Sequence, residues 1–175
     1  YRHDRLAFLK AQGDAAQEKG IIYGVKLVRG AYMEKERERA QKMGYPSPIQ
    51  PDKAAADRDY NEALRFMVAH HAHFALCAGS HNEESSMLLT QLMAEKNLKN
   101  NNEKFFFAQL LGMSDHISYN LANGGYNVAK YVPFGPVKEV LPYLLRRADE
   151  NTSVAGQTGR ELGLISAEVI RRKKR

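Results

Sequence analysis

At 175 residues, 43% of them hydrophobic and 26% charged, the chain is long enough for one domain with a packed core. It holds no apolar run of the roughly 18 residues that a membrane span requires, and its one cysteine excludes an internal disulfide. A net charge of +6 does not make a nucleic-acid groove here: Glu34-Lys35-Glu36-Arg37-Glu38-Arg39 alternates in sign like a solvated helix face, and no basic stripe is interleaved with aromatics.

The N-terminus does not resemble a signal or transit peptide; it opens directly on an amphipathic helical segment, as a portion of a longer chain would. Tyr23 to Val28 is short and apolar and predicts a buried strand. Met33 to Met43 follows as a highly charged helix that stops at Gly44, with Pro46 and Pro48 beyond it. A second helix over Asp52 to Ala69 has Ala55, Leu64, Met67 and Val68 on its apolar side and Asp52 as its cap. Phe74 to Ala78 predicts the second strand, and Asn82 to Lys96 a helix capped by Asn82 with a stripe of Met87, Leu88, Leu92 and Met93. Phe105 to Gln109 is the third strand, followed by a helix over Ser114 to Asn123 that ends in Gly124-Gly125. The fourth strand covers Val128 to Pro133. The helix from Pro136 to Asp149 begins with proline where its missing N–H costs nothing. From about residue 168 the reading is a basic tail ending Arg171-Arg172-Lys173-Lys174-Arg175, of the kind drawn to anionic lipid, so peripheral membrane contact is expected of it.

Strands alternating with helices imply a parallel α/β sheet. A doubly wound open sheet and part of a (β/α)8 barrel both fit. No Gly-x-Gly-x-x-Gly follows any strand, so a dinucleotide phosphate loop has no support. A whole barrel needs about 200–250 residues, and this chain could supply four of its eight units.

Polar groups gather where the strands end, which is where parallel barrels build their sites. They are Lys26 and Arg29 with Gly30-Ala31-Tyr32, then Gly79-Ser80-His81-Asn82, Gln109 with Leu111-Gly112, and Tyr131 with Gly135. Residues three apart on a strand face opposite ways, so Lys26 and Arg29 cannot both face the barrel axis. Lys26, inside an apolar run, must meet a polar interior, a ligand or a carboxylate. Arg146 and Arg147 point about 100° apart on one helix and offer planar forks suited to a carboxylate. Glu150 is spaced to hold either one. His70-His71-Ala72-His73 spans a helix end and a strand start, which scatters its rings, and no partner has zinc spacing. Gly79-Ser80-His81 lacks the glycine spacing of a nucleophile elbow, and Cys77 reads as a buried small hydrophobe.

Five motifs in order resemble the proline dehydrogenase family. They are Lys-Leu-Val-Arg-Gly-Ala-Tyr (26–32), Ser-His-Asn (80–82), Gln-Leu-Leu-Gly-Met-Ser-Asp (109–115), Tyr-Val-Pro-Phe-Gly-Pro (131–136) and Tyr-Leu-Leu-Arg-Arg-Ala-Asp-Glu-Asn (143–151). The resemblance implies a distorted (β/α)8 barrel of which this chain is the C-terminal part, its last four βα units. It implies FAD at the strand C-termini, oxidation of L-proline to Δ1-pyrroline-5-carboxylate as the first step of proline degradation to glutamate, and a quinone as electron acceptor.

Carried onto this chain, Arg146 and Arg147 clamp the proline carboxylate, and Tyr131 and Tyr143, with Leu111, wall the substrate. Lys26 stands where many members have an arginine near the reactive flavin nitrogen. Arg29, Gly30, Ala31, Ser80 and His81 bind FAD, joined by Tyr32, Gln109 and Glu150. Ala56 stands where members often have threonine near the adenine end. The first barrel strands, with further active-site residues, have no counterpart, so the chain alone is expected to be catalytically incomplete. Its two open sheet edges are expected to favour self-association. A quinone acceptor implies an inner-membrane face, in a bacterial cytoplasm or, for a eukaryotic protein, a mitochondrion. Two other readings stay open: another flavin barrel such as a methylenetetrahydrofolate reductase, and a half-barrel that assembles without flavin.

Overall fold

Side-chain alternation splits the sheet into two chemically different faces. The computed structural model describes residues 1–153 and 157–173, with the side chains of 148–153 and 157–161 outside the description. Its strands are β1 (Tyr23–Val28), β2 (Phe74–Gly79), β3 (Phe105–Leu110) and β4 (Val128–Tyr131), all parallel and in the order β1-β2-β3-β4. The helices are α1 (Arg5–Glu18), α2 (Met33–Met43), α3 (Lys53–Ala69), α4 (Glu83–Glu95), α5 (Asp115–Asn123), α6 (Val137–Ser153) and α7 (Gln157–Lys173).

Strand order separates the two architectures that the alternation allowed. A doubly wound sheet reverses its winding partway and carries helices on both faces. Here each strand lies beside its predecessor, and right-handed crossovers then put the helices on a single face, as in a sector of a barrel. On that face Phe74, Leu76, Phe105 and Phe107 are fully enclosed against Leu64 and Met67 of α3, Leu89 and Met93 of α4 and Leu121 of α5. Burying each large side chain contributes about 1.5–3 kcal/mol, enough together to hold the four strands to their helices. α1 lies so close to the sheet that a Cβ on Gly13 would meet the Phe74 ring at 2.7 Å.

The opposite face carries Gly24, Lys26 and Val28 of β1, Ala75, Cys77 and Gly79 of β2, Phe106, Ala108 and Leu110 of β3, and Ala129 and Tyr131 of β4. Cys77 is therefore half-buried on this open face rather than sealed in the core.

Both expected caps form: Asp52 accepts from the Ala55 N–H at 2.7 Å and Asn82 from the Ser85 N–H at 2.9 Å. β4 ends at Tyr131, short of Pro133, which has no N–H for a ladder. The basic tail belongs to a helix, α7, which the sequence reading did not assign. Glu168 accepts from Arg171 Nε at 2.6 Å and from Arg172 Nε at 2.9 Å, and pairs at this spacing support a helix. Among the described residues no helix is long and apolar enough to cross a membrane.

Candidate active site

Strands lie about 4.8 Å apart, so β1 and β4 are separated by two others and side chains from them meet only above a concave face. They do meet. Lys26 Nζ of β1 stands 5.2 Å from the centre of the Tyr131 ring of β4. Tyr131 packs edge-on against Tyr143 of α6, with ring centroids 5.8 Å apart at 75°. The Arg147 guanidinium lies 5.3 Å from the Tyr143 ring. Two cations and two perpendicular rings thus span the mouth of the sheet and border a cavity of about 260 Å³. The constellation can take a small ring between aromatic walls and bind its anion.

Beneath it the floor is Gly79 and Ala108, with Gly24, Ala75 and Ala129 on the same face. Such small side chains let a flat group approach the sheet closely. The exposed ammonium of Lys26 beside that floor suits a planar ring that gains negative charge on reduction. The residues present therefore fit a flavin. Burial raises the Cys77 thiol above its ordinary value, against the opposing charge of Lys26.

The rim is built by the turns after β1 and β2. Gly30, at φ 102°, takes a backbone that a side chain would strain, and Tyr32 takes the left-handed conformation. Arg29 turns away from the axis, as its offset from Lys26 requires. It donates to Asp57 Oδ1 at 2.6 Å, Ser80 Oγ at 2.8 Å and Ser85 Oγ at 2.8 Å, and its guanidinium carbon sits 4.2 Å from the Tyr60 ring centre. Burial pushes the Tyr60 phenol up to about 12. Burial also works to raise Asp57, but hydrogen bonds from Lys53 and Arg29 outweigh it and hold the carboxyl below its ordinary value. His81 Nδ1 and Ser114 Oγ share a hydrogen bond of 2.9 Å.

Of the residues singled out in the sequence, Lys26, Arg29, Gly30, Ser80, His81, Gln109, Tyr131, Tyr143 and Arg147 border this one cavity. Gln109 reaches it from the helix side with its amide engaged, donating to Ser80 O at 3.2 Å and accepting from Ser118 Oγ at 2.9 Å. Ala31, Tyr32 and Ala56 border a second cavity of about 490 Å³ along β1. Arg146, about 100° around α6 from its neighbour, stacks at 5.7 Å on Tyr32, and its Nε is buried without a hydrogen-bond partner. Leu111 is half exposed and borders neither cavity. The Glu150 side chain lies outside the described residues. Sequence reasoning missed Asp57, Tyr60 and Ser85; the available signal was polar, Asp57, Tyr60 and Asn61 falling on one face of α3 at i, i+3 and i+4.

A four-stranded parallel α/β sheet in sequential order, with its polar constellation at the C-terminal strand ends, is consistent with a sector of a barrel of the kind many enzymes use. The model of the proline dehydrogenase family matches residues 1–160, and the chain belongs to that family. It is 42% identical over 176 residues to hydroxyproline dehydrogenase of Xenopus laevis and 43% identical over 162 residues to mitochondrial proline dehydrogenase 1 of Homo sapiens. These alignments cover 98% and 91% of this chain but only 38% and 27% of the relatives. Among solved structures, proline utilization A (PutA) of Bdellovibrio bacteriovorus, inactivated by N-propargylglycine, matches with a TM-score of 0.82 and 28% identity, over 89% of this chain and 16% of that one. A Bradyrhizobium japonicum PutA mutant matches with a TM-score of 0.76 and 26% identity, over 89% of this chain and 16% of that one.

Proposed function

We propose that this chain is the C-terminal part, the last four βα units, of a (β/α)8 barrel that uses FAD to oxidise L-proline to Δ1-pyrroline-5-carboxylate, opening its degradation to glutamate. The observation that carries the reading is the run Lys26–Tyr131–Tyr143–Arg147 across one cavity. In this reading Arg147 holds the substrate carboxylate, and Arg146, stacked on Tyr32 with its Nε buried without a partner, is the second arginine of the clamp. Tyr131 and Tyr143 wall the apolar pyrrolidine ring and keep water from it. Lys26 supplies positive charge beside the face where reducing equivalents are taken up. Gly30, Ala31, Ser80 and His81 form the cofactor wall, and Tyr32, Gln109 and Glu150 complete its surroundings. Bound there, FAD would accept the two electrons that leave a ring C–H bond beside the nitrogen, as a hydride equivalent, while the nitrogen loses its proton and C–N becomes C=N.

The remaining strands of the barrel hold the other site residues, so this chain alone is catalytically incomplete, and the unpaired edges of β1 and β4 favour self-association. A quinone takes the electrons at an inner-membrane face, with peripheral contact by the basic end of α7; for a eukaryotic source the compartment is the mitochondrion.

A second substrate has specific support: five relatives at 42–44% identity are hydroxyproline dehydrogenases. The two tyrosine rings, with centroids 5.8 Å apart, wall the site with bulky aromatic carbon, which favours the unsubstituted ring. Measuring kcat/KM of the full-length protein for L-proline and trans-4-hydroxy-L-proline decides between them. Higher efficiency with L-proline is expected, and the reverse order would reject the substrate assignment while keeping the family.

A further inference from the structure

The resemblance assigns Arg29 to the cofactor, yet its side chain is only 14% exposed and most of its donor capacity is already committed. A guanidinium has five N–H groups in one plane. Three of them run to three different elements: Asp57 of α3, Ser80 just after β2 and Ser85 of α4. The Tyr60 ring covers one face of the plane at 4.2 Å. The network continues outward, because Ser85 Oγ donates to Asn61 Oδ1 at 2.8 Å and Lys53 joins Asp57.

Ser80 is where this reaches the cavity. Its Oγ accepts from Arg29 at 2.8 Å and from the Asn82 N–H at 3.1 Å, which uses both lone pairs of the hydroxyl. Only its proton remains to be given, and the direction of the group is set by Arg29 and the turn together. The same turn bears His81 and the capping Asn82 that starts α4. A lysine at position 29 would keep the charge but could not span three elements with a planar fork.

We infer that Arg29 is a positioning residue: its side chain does not touch the flavin but holds Ser80, and with it the Gly79–Asn82 turn, as a preformed wall of the flavin site. The inference rests on the flavin reading above. Arg29 borders the cavity, so direct contact with a cofactor phosphate is the rival, and the two predict opposite effects at Asp57. Under direct contact, removing Asp57 frees the guanidinium and tightens flavin binding. Under positioning, it loosens the wall and weakens binding.

The experiment titrates FAD into flavin-free full-length protein by flavin fluorescence, for wild type, Arg29→Lys, Asp57→Asn and Ser85→Ala, with thermal unfolding recorded alongside. Ser85 borders neither cavity, so its effect can reach the flavin only through Arg29 and the packing of α4. Each variant is expected to raise the FAD dissociation constant by roughly tenfold, the scale of losing one hydrogen bond to a charged group, and Arg29→Lys with Ser85→Ala should together cost less than the product of the two. Tighter binding in Asp57→Asn, unchanged affinity in Ser85→Ala, or a loss of thermal stability with no change in affinity would each overturn the inference. A wild-type protein that takes up no FAD would instead overturn the functional reading on which it stands.

Discussion

Replacing Arg147 by methionine removes the guanidinium from the cavity while keeping an apolar arm of similar length. The group lies 5.3 Å over Tyr143, in a half-buried position, so both its charge and its stacking are lost. A hydrogen bond to a charged group contributes about 1.5–3 kcal/mol, and a stacked cation of this kind adds about 0.5–1 kcal/mol. The combined loss is about 2–4 kcal/mol, or roughly 30- to 700-fold at 1.4 kcal/mol per decade. Arg147→Lys keeps the charge and loses the fork, and should cost about tenfold. The assay is kcat/KM of the full-length variants with L-proline, set against L-prolinamide, which has the same ring and no carboxylate. The methionine variant should lose efficiency on L-proline and little on the amide. Equal losses on both substrates would show that Arg147 does not read the carboxylate, and the clamp would be refuted.

Three further outcomes follow from the packing and the charges. Gly79→Ala should destabilise the protein by about 1–3 kcal/mol, since its Cβ would meet Val28 Cγ1 at 2.8 Å and the Leu27 carbonyl at 3.3 Å; a urea midpoint equal to wild type would contradict this. The Asp57 carboxyl lies below its ordinary value in the fold because bonds from Lys53 and Arg29 exceed the upward push of burial. Its stabilising contribution is therefore fully present above the unfolded carboxylate value of about 4 and fades as pH falls through the lower folded value. The gap in melting temperature between wild type and Asp57→Asn should accordingly narrow only below about pH 4; a gap that widens on acidification would reverse the assignment. The raised, half-buried Cys77 thiol should react slowly with maleimide at pH 7, and more slowly still with FAD present, whereas labelling indifferent to FAD would remove the flavin from this face of the sheet.

The strands and most helices were legible because their residues carry strong local signals. Phe74-Ala-Leu-Cys-Ala and Phe105-Phe-Phe-Ala are short apolar or aromatic runs bounded by polar or glycine-bearing residues, which read as parallel strands, and Asp52 and Asn82 are caps whose side chains do bond the expected N–H groups. The strand order was not legible, since alternation is common to barrels and open sheets and the difference lies in which strands become neighbours. α7 was hidden because Arg171-Arg172-Lys173 reads as a solvated tail, although Leu162, Ile165 and Val169 already repeat at helical spacing.

At the site, the opposition of Lys26 and Arg29 could be read from their offset alone. The convergence of Lys26 with Tyr131 could not, because it depends on the sheet being concave. Adjacent positions on α6 suggested a shared clamp for Arg146 and Arg147, but their separation around the helix sends one to Tyr32 and the other to Tyr143. The Arg29 network escaped notice because it draws on four elements, and Ser85 and Asn61 carry no chemistry that stands out in a sequence.

The most direct test of the account is the visible absorbance of the purified full-length protein, recorded anaerobically before and after L-proline is added, with the 175-residue chain treated in parallel. The account predicts a flavin spectrum that bleaches with L-proline in the full-length protein and no bound flavin in the chain alone. A full-length protein without flavin, or with a flavin that L-proline leaves unbleached, would contradict it.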